Sequence, residues 1–367
     1  MMGTDPRRTP LHDVHERLGA KFTDFAGWQM PLRYTGDVAE HNAVRTGAGL
    51  FDLTHMGEIV LSGPQAGQAL DYALVGNASA IGVGRARYTM ICGDDGGILD
   101  DLIVYRTGEQ DYMVVANASN AALVAGELLD RAEDFETEVR DASTEYALIA
   151  VQGPRAVSLL APLTPTDLST VKYYASYPTT VAGRPALLAR TGYTGEDGFE
   201  LFVAPADAEA VWSAVADSGE ILPCGLSCRD TLRLEAGMPL YGNELTTELT
   251  PYAAGLGRVV KLDKPSDFVG RAALAKASAE TPARKLVGLV TDGRRGPRHG
   301  YPVVDPADGA RIGEVTSGAP SPTLGHAIAM AYVDADRAVP GSALAVDIRG
   351  TITPVDVVEL PFYRRSS

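Results

Sequence analysis

Two adjacent carboxylates, Asp100 and Asp101, interrupt the apolar stretch GGILDDLIVY. Successive residues of a strand point to opposite faces of a sheet, so one of the two must lie on a covered face. A covered carboxylate needs polar partners, and a carboxylate in a cleft is suited to ligand binding or proton transfer. We expect Asp101 to have such a functional role. We expect Asp100 to be a turn residue that accepts hydrogen bonds from backbone amides.

A third carboxylate, Glu200, lies near the end of a second glycine-rich stretch, TGYTGEDGFEL. Both stretches follow copies of a pattern of strand, Gly-Pro turn and helix, written EIVLSGPQAGQALDYAL and YALIAVQGPRAVSLLAPL. In this register Asp101 corresponds to Glu200, and the repeat predicts a duplicated α+β unit. If the two halves pack about a pseudo-twofold axis, both carboxylates approach one central cleft, which is a common place for a ligand.

The elements that carry these carboxylates form the first of two regions. The chain has 367 residues, a length that suggests more than one domain. Residues 1–276 have the mixed helix and strand pattern of the duplicated α+β region. From Lys285 onward, short β-rich runs are separated by Gly, Pro and Asp, which predicts a small barrel or sandwich over residues 285–367.

Composition and charge exclude several classes of function. The formal net charge of −15 argues against a nucleic-acid binder, because binding to phosphates needs a basic surface. An odd and sparse set of 3 cysteines fits a reducing compartment. The sequence shows neither an apolar run of membrane-spanning length nor the apolar core of a secretory signal. We therefore expect a cytoplasmic protein with no membrane partner and no nucleic-acid partner.

Sequence motifs for metals and nucleotides are also missing. Cys224 and Cys228 of CGLSC are followed by no Cys or His at zinc spacing, and the histidines are scattered. Neither a GxxxxGK[ST] loop nor a GxGxxG turn after a strand occurs. We expect no metal site and no bound nucleotide.

An ordered series of longer motifs carries a more specific signal. It includes DFAGWQMP, HNAVRTGAGLFDLTHMGE, GGILDDLIVY, RTGYTGEDGFEL, CGLSCRDTLRLEAGMPLYGNEL and TSGAPSPTLGHAIAMAYV. Together these motifs resemble the aminomethyltransferase (T protein) family of the glycine cleavage system, over nearly the whole chain. The resemblance implies an α+β fold: a duplicated α+β folate-binding region followed by a C-terminal β-barrel.

The resemblance also implies a reaction. An enzyme of this family takes an aminomethyl group from the lipoyl arm of a carrier, the H protein. It releases ammonia and passes the one-carbon unit to tetrahydrofolate, which is a co-substrate. Neither a flavin nor a metal is implied. Asp101 matches the second Asp of the family's LDD motif, so it is expected to lie by the folate, stabilise the reacting nitrogens and take up a proton.

Further folate contacts are implied at positions that match the family. Glu200 is expected to accept two hydrogen bonds from the donor edge of the pterin. Aromatic and amide side chains are expected to line the pocket, and they are Tyr88, Asn117, Tyr173, Tyr174 and Tyr193.

Four arginines are candidates to meet the folate carboxylates or the pterin oxygen. Arg229 and Arg364 match family positions, and bidentate pairing with a carboxylate is the expected geometry. Arg233 comes four residues after Arg229 and is either a contact or a structural residue. Arg258 stands where many relatives have Trp, so it is a weaker candidate contact. A loop with Arg294, Arg295 and Arg298 could dock the carrier, but a solvated loop is favoured.

Two alternative functions stay open at this stage. The first is a non-catalytic folate-binding protein. Proteins of that class carry a Cys in the segment where this chain reads TGYTGEDG, which counts against this alternative. The other is a folate-dependent partner of a methylglycine oxidase. In that class a similar domain follows a flavoprotein, and this sequence contains no flavin-binding motif.

Overall fold

The computed structural model describes residues 6–292 and 296–365. Arg294 and Arg295, from the loop considered for carrier docking and favoured as a solvated loop, lie outside these residues. The helices, in chain order, are α1 His12–Arg17, α2 Asp37–Thr46, α3 Ala66–Ala73, α4 Ala121–Arg131, α5 Ala156–Leu160, α6 Ala208–Ala216, α7 Leu226–Glu235 and α8 Arg271–Ala279. In α4 the buried residues Val124 and Leu128 are four positions apart, the spacing that places side chains on one helix face.

The strands belong to three larger sheets and one two-stranded ribbon. In chain order they are β1 Lys21–Phe25, β2 Trp28–Arg33, β3 Gly49–Asp52, β4 Gly57–Ser62, β5 Arg85–Cys92, β6 Ile98–Arg106, β7 Asp111–Ala116, β8 Glu138–Asp141, β9 Ala147–Gln152, β10 Ser176–Val181, β11 Arg184–Ala189, β12 Gly198–Val203, β13 Leu222–Pro223, β14 Arg284–Thr291, β15 Pro302–Val304, β16 Arg311–Pro320, β17 Ala327–Asp334, β18 Ala343–Ile348 and β19 Thr351–Val358.

The chain divides into two compact units. The first unit contains the described residues up to Leu70 together with Ala78–Tyr88 and Leu102–Asp230. The second contains Asp71–Asn77, Thr89–Asp101 and the described residues from Thr231 onward. Strands β5 and β6 and helices α3 and α7 are therefore each shared between the two units.

A six-stranded sheet in the first unit has the order β10-β11-β12-β9-β3-β13. Every residue of β9 and of β12 is buried, as expected for central strands that are covered on both faces. Leu50, Ile149, Phe199 and Trp212 belong to the apolar core on this sheet. The core fixes β12 and its flanking loop, which position Glu200.

A five-stranded sheet has the order β5-β6-β7-β4-β8 and repeats the arrangement of the six-stranded one. In each sheet a hairpin is followed by a third strand, and that third strand pairs with the strand before a Gly-Pro turn: β7 with β4, and β12 with β9. The predicted duplication of α+β units is therefore present in the topology.

The predicted register of this duplication is wrong. Glu200 of β12 pairs with Ala150, and at the matching position of the other sheet Met113 of β7 pairs with Val60. Asp101 lies on β6, which corresponds to β11. The sequence misleads here because the glycine-rich turn comes before the second strand in one half and before the third strand in the other.

The second unit contains the predicted barrel. Its strands close in the order β14-β17-β16-β15-β18-β19, with β19 pairing back to β14. Val287, Val303, Val315 and Val333 belong to the buried interior. Closure leaves no free sheet edge, and the barrel prediction is confirmed over the sandwich. No helix in the described ranges has both the length and the apolar character that a membrane span requires.

Candidate active site

Glu200 is held by one carboxylate oxygen. Thr191 and Tyr105 both donate hydrogen bonds to Oε2, with the Tyr105 hydroxyl 3.4 Å away, and the two hydroxyls lie 3.0 Å apart. The residue is only 7% exposed. Within the described part of the chain, Oε1 of Glu200 accepts no hydrogen bond. The carboxylate is thus fixed in orientation and presents its second oxygen to a ligand donor.

Tyr105 can act only as a donor to this carboxylate. Burial, and then the charge of Glu200, raise the pKa of Tyr105 well above its usual value. Neither Tyr105 nor Thr191 was predicted as a site residue. The signal for Tyr105 was its position on the strand that carries Asp101, and for Thr191 its position two residues before Tyr193.

Arg229 is on helix α7, and its charge interacts with that of Glu200 on strand β12. Its guanidinium carbon is 5.1 Å from the ring centroid of Tyr193 and 6.0 Å from that of Phe51. Nη1 is buried and has no hydrogen-bond acceptor anywhere among the described residues. Burial lowers the pKa of Arg229, while Glu200 and then Tyr193 raise it, and a guanidinium stays charged in proteins. A buried charged donor with no acceptor is costly unless a ligand supplies one.

The two groups form a complementary pair. Glu200 offers an acceptor and Arg229 offers a donor, and their charges interact. A flat heterocycle that carries an N–H next to a carbonyl oxygen presents the matching donor and acceptor. The Tyr193 ring lies against the guanidinium and supplies an aromatic surface at the same place.

Two further tyrosines lie near Tyr105. The rings of Tyr173 and Tyr174 are 4.8 Å apart and nearly perpendicular, and Tyr174 acts electrostatically on Tyr105. Tyr174 has a φ of 57°, a left-handed conformation that a bulky residue rarely adopts. The structure therefore brings Tyr174, Glu200, Arg229 and Tyr193 into one neighbourhood. Such backbone strain clusters at functional sites.

The predicted contacts Tyr88 and Asn117 both belong to the region of the five-stranded sheet, in which β6 separates their strands. Tyr88 is in β5 and Asn117 directly follows β7. Both side chains are partly exposed. They are therefore accessible to a ligand.

Asp100 and Asp101 lie on β6 in the second unit. Asp100 is fully buried, in phase with Ile98 and Leu102, whereas Asp101 is partly exposed. The predicted alternation is confirmed, but Asp100 is a strand residue and its assignment to a turn is wrong. Burial raises the pKa of Tyr241, and the charges of Asp100 and Asp101 raise it further, so the three side chains are neighbours.

The remaining arginines have different surroundings. Arg233 is 1% exposed and donates to Glu244 at 2.9 Å, to Ser317 at 2.7 Å and to the Met238 carbonyl at 3.1 Å. These contacts favour a structural role for Arg233 over a role as a ligand contact. Arg258 and Arg364 are exposed, so their guanidinium groups are open to solvent.

Glu40, Cys224 and Cys228 are close enough to hold a metal ion, but they already have partners. Glu40 accepts three backbone amides, from Tyr34, Gly36 and Gly225. The thiols of Cys224 and Cys228 donate to backbone carbonyls, and burial raises the pKa of Cys228 well above its usual value. These contacts stabilise the segment before α7.

Comparison with known families agrees with this architecture. The family model described as "GCVT N-terminal domain" matches residues 11–264, and "Glycine cleavage T-protein C-terminal barrel domain" matches residues 284–364. The chain belongs to the glycine cleavage T-protein family. The family predicted from the motifs is thereby confirmed, and so is the fold class.

Relatives in the T-protein family match the chain from end to end. A protein named aminomethyltransferase from Saccharopolyspora erythraea is 73% identical over 99% of this chain and 100% of its own length. One of the same name from Streptomyces avermitilis is 64% identical over the full length of both. The crystal structure of glycine cleavage system aminomethyltransferase T from Bartonella henselae superposes with a TM-score of 0.91, at 37% identity over 97% of this chain and 98% of that one.

These T-protein matches confirm the predicted activity class, an aminomethyltransferase of the glycine cleavage system. Because relatives of that one name match over their full length, neither alternative function is favoured.

Proposed function

We propose that this T-protein family member transfers the one-carbon unit of an aminomethyl group to tetrahydrofolate, with release of ammonia. The aminomethyl group is delivered on the lipoyl arm of an H protein, and the product is methylenetetrahydrofolate. One observation carries the folate assignment: the buried Nη1 of Arg229 has no acceptor among the described residues, and the charge of Arg229 interacts with Glu200, whose Oε2 alone is held by Thr191 and Tyr105.

The pterin ring of folate has the matching pattern. Its 2-amino group and N3–H are adjacent donors for Glu200, and the neighbouring C4 carbonyl is an acceptor for Arg229. Tyr193 supplies a ring surface beside the guanidinium. We assign Tyr174 and Tyr88 to the walls of the same pocket and Tyr173 and Asn117 to its rim, on the strength of their family positions and exposure.

Asp101 is proposed as the catalytic carboxylate. Being partly exposed on its strand, it can be reached by a substrate, unlike its fully buried neighbour Asp100. Its charge would stabilise positive character on nitrogen as ammonia departs, and its oxygen would take the proton that leaves folate. That Asp101 and Glu200 serve one folate molecule stays a prediction.

The other arginines receive separate roles. Arg364 is exposed near the end of the second unit and is proposed to meet a carboxylate of the folate tail. Arg258 is kept as a weaker contact candidate. Arg233 is assigned to stability, because its buried guanidinium already donates to Glu244, Ser317 and Met238.

Asp101→Asn tests the catalytic assignment. The variant keeps the size of the side chain but loses its charge, so the rate of aminomethyl transfer should fall by about 10²- to 10⁴-fold. Folate affinity, measured by titration of the purified variant, should stay within about threefold. Normal turnover would remove Asp101 from the mechanism.

Glu200→Gln tests the folate assignment. One pterin N–H would then face an amide N–H, and tetrahydrofolate affinity should fall by at least about tenfold. Glu209→Gln on the exposed surface is the matched control, because Glu209 pairs only with exposed Arg17 among the described residues. Equal affinities for Glu200→Gln and the parent protein would refute the pterin pocket.

The domain limits follow the same proposal: a folate-binding region over residues 1–276 and a barrel domain over residues 285–367. The family matches at 11–264 and 284–364 support this division. A cytoplasmic location stays a prediction from the sequence. So do the expected lack of metal, flavin and nucleotide and of membrane and nucleic-acid partners.

A further inference from the structure

An ion pair closes the base of the loop between strands β11 and β12. Arg190 directly follows β11, and Asp197 directly precedes β12. Nε of Arg190 donates to Oδ1 of Asp197 at 2.9 Å, and Nη2 donates to Oδ2 at 2.6 Å. Two parallel hydrogen bonds between charged groups are strong and fix the orientation of both partners. The two side chains are 19% and 23% exposed, so salt and solvent screen this pair less than an exposed one.

The same guanidinium also holds a second segment of the chain. Its Nη1 donates to the backbone carbonyl of Val171 at 2.6 Å and to that of Leu168 at 3.3 Å. The contacts of Arg190 with Asp197, Val171 and Leu168 are called the Arg190 clamp below. The clamp joins the β11–β12 loop to residues 168–174, and it uses three nitrogens of one side chain.

The β11–β12 loop carries two groups of the proposed folate pocket. Thr191 donates a hydrogen bond to Oε2 of Glu200, and Tyr193 supplies the aromatic surface. The buried side chain of Gln152 donates to the backbone carbonyl of Thr191 at 3.0 Å. Gln152 thus fixes the start of the loop from the sheet, while the ion pair fixes the separation of its two ends.

Residues 168–174 end at Tyr174, a proposed wall of the same pocket. Its φ of 57° is unfavourable for a bulky residue and persists only where the surroundings hold it. The amide of Tyr174 donates to the backbone carbonyl of Arg190 at 3.0 Å, and its own carbonyl accepts the amide of Ala86 at 2.9 Å. Arg190 therefore supports this segment with its backbone as well as with its side chain.

We propose that Arg190 is a positioning residue for the folate pocket, which sets the places of Tyr193 and Tyr174 by clamping their two segments together. This inference rests on the proposed function, because it takes both tyrosines as walls of the folate site. The donors of Arg190 are engaged within the protein, so it acts through the segments that it holds. A pocket that is ordered before binding loses less conformational freedom when the ligand arrives.

Arg190→Lys tests the clamp. Lysine keeps the charge but has a single nitrogen, so it cannot pair with both oxygens of Asp197 and also reach two carbonyls. Tetrahydrofolate affinity, measured by anaerobic titration, should fall about tenfold. The KM for tetrahydrofolate should rise by a similar factor. At saturating tetrahydrofolate, kcat should stay within about twofold of the parent value, because Asp101 lies on β6, outside both segments.

A milder variant and a matched control accompany this substitution. Asp197→Asn weakens the ion pair but leaves the carbonyl contacts of Arg190, so affinity should fall by only about threefold. It carries the test if Arg190→Lys does not fold. The control is Arg184→Lys at the other end of β11, where Arg184 pairs with Asp207 at 3.2 Å. Its affinity for tetrahydrofolate should equal that of the parent.

A double-mutant cycle with Tyr193→Leu distinguishes positioning from general stabilisation. If Arg190 acts partly by placing Tyr193, the losses of affinity in Arg190→Lys and Tyr193→Leu should add up to more than the loss in the double variant. A residue that only stabilised the fold would lower the thermal unfolding midpoint and leave the KM for tetrahydrofolate unchanged. Fully additive losses would overturn the proposal.

Glu200→Gln separates this inference from the proposed function. If Glu200→Gln weakens tetrahydrofolate binding but folded Arg190→Lys and Asp197→Asn bind it as the parent does, the Arg190 clamp does not position the pocket and this inference falls alone. If Glu200→Gln binds tetrahydrofolate normally, the folate pocket itself is refuted, and the role of Arg190 falls with it.

Discussion

Arg229 and Arg233 belong to one helix, four residues apart, and their surroundings are opposite. Arg233 donates to a carboxylate, a hydroxyl and a backbone carbonyl, all within 3.1 Å. Arg229 contacts aromatic rings, and its buried Nη1 has no acceptor among the described residues. Both are arginines of the CRDTLRLEA segment, and the sequence gives no reason to treat them differently.

The difference indicates what each arginine is for. A buried guanidinium whose donors are used within the protein stabilises the fold, since its charge is already compensated. A guanidinium left with an unused donor is a cost in the free protein and becomes favourable when a ligand oxygen arrives. One buried atom is also left over beside Arg233, Oε1 of Glu244, but that carboxylate is already neutralised by the arginine.

Arg233→Met should give the largest loss of stability. Glu244 would be left as a buried charge without its partner, which costs about 3–5 kcal/mol. Chemical denaturation would show this as a lower unfolding midpoint. Arg284→Met is the matched control, because the ion pair of Arg284 with Asp334 is half exposed and is worth about 0–1 kcal/mol. Equal midpoints for the two variants would contradict the assignment of Arg233.

Arg229→Met should have a much smaller effect on stability. The loss of a donor without an acceptor is favourable, but Glu200 loses a charge that compensates it, so the free energy of unfolding should change by no more than about 1 kcal/mol. Tetrahydrofolate affinity should fall by at least about tenfold, because the C4 carbonyl loses its donor. The comparison of the two arginines fails if this variant loses stability as Arg233→Met does and binds folate normally.

Glu58→Gln tests whether an unpartnered buried atom always indicates a ligand. Oε2 of Glu58 is buried without a partner, and burial, followed by the charge of Asp141, raises the pKa of Glu58 well above 4.5. The folded protein therefore holds a proton that the unfolded chain has lost, and stability falls as the pH rises above 4.5 until the folded pKa is reached.

Glutamine removes that pH-dependent loss. The variant should be more stable than the parent by about 1 kcal/mol at neutral pH, with a gain that shrinks towards about pH 4. Folate affinity should not change, because Glu58 is not among the groups assigned to the ligand. Unfolding curves of both proteins across this pH range check the sign. A gain that is constant with pH would mean that Glu58 is ionised in the folded protein.

Several features of the fold were predictable from local sequence. The alternation on β6 places Asp100 inside and leaves Asp101 accessible, as the period of a strand requires. The Gly-Pro turns mark the ends of β4 and β9, and the short β-rich runs after Lys285 form the barrel strands. The family motifs, read together, also predicted the activity class.

The sequence by itself determined which residues have the chemistry: two carboxylates, a set of tyrosines and several arginines in family positions. Only the tertiary structure decided which of them are satisfied. Tyr105 of β6 and Thr191, which follows β11, both donate hydrogen bonds to Glu200. Ser317 of the barrel strand β16 accepts a hydrogen bond from Arg233. The physical reason is that side-chain periodicity is a local property. The partner of a buried polar atom is set by the pairing of strands that are distant in the chain, and local sequence does not encode that pairing.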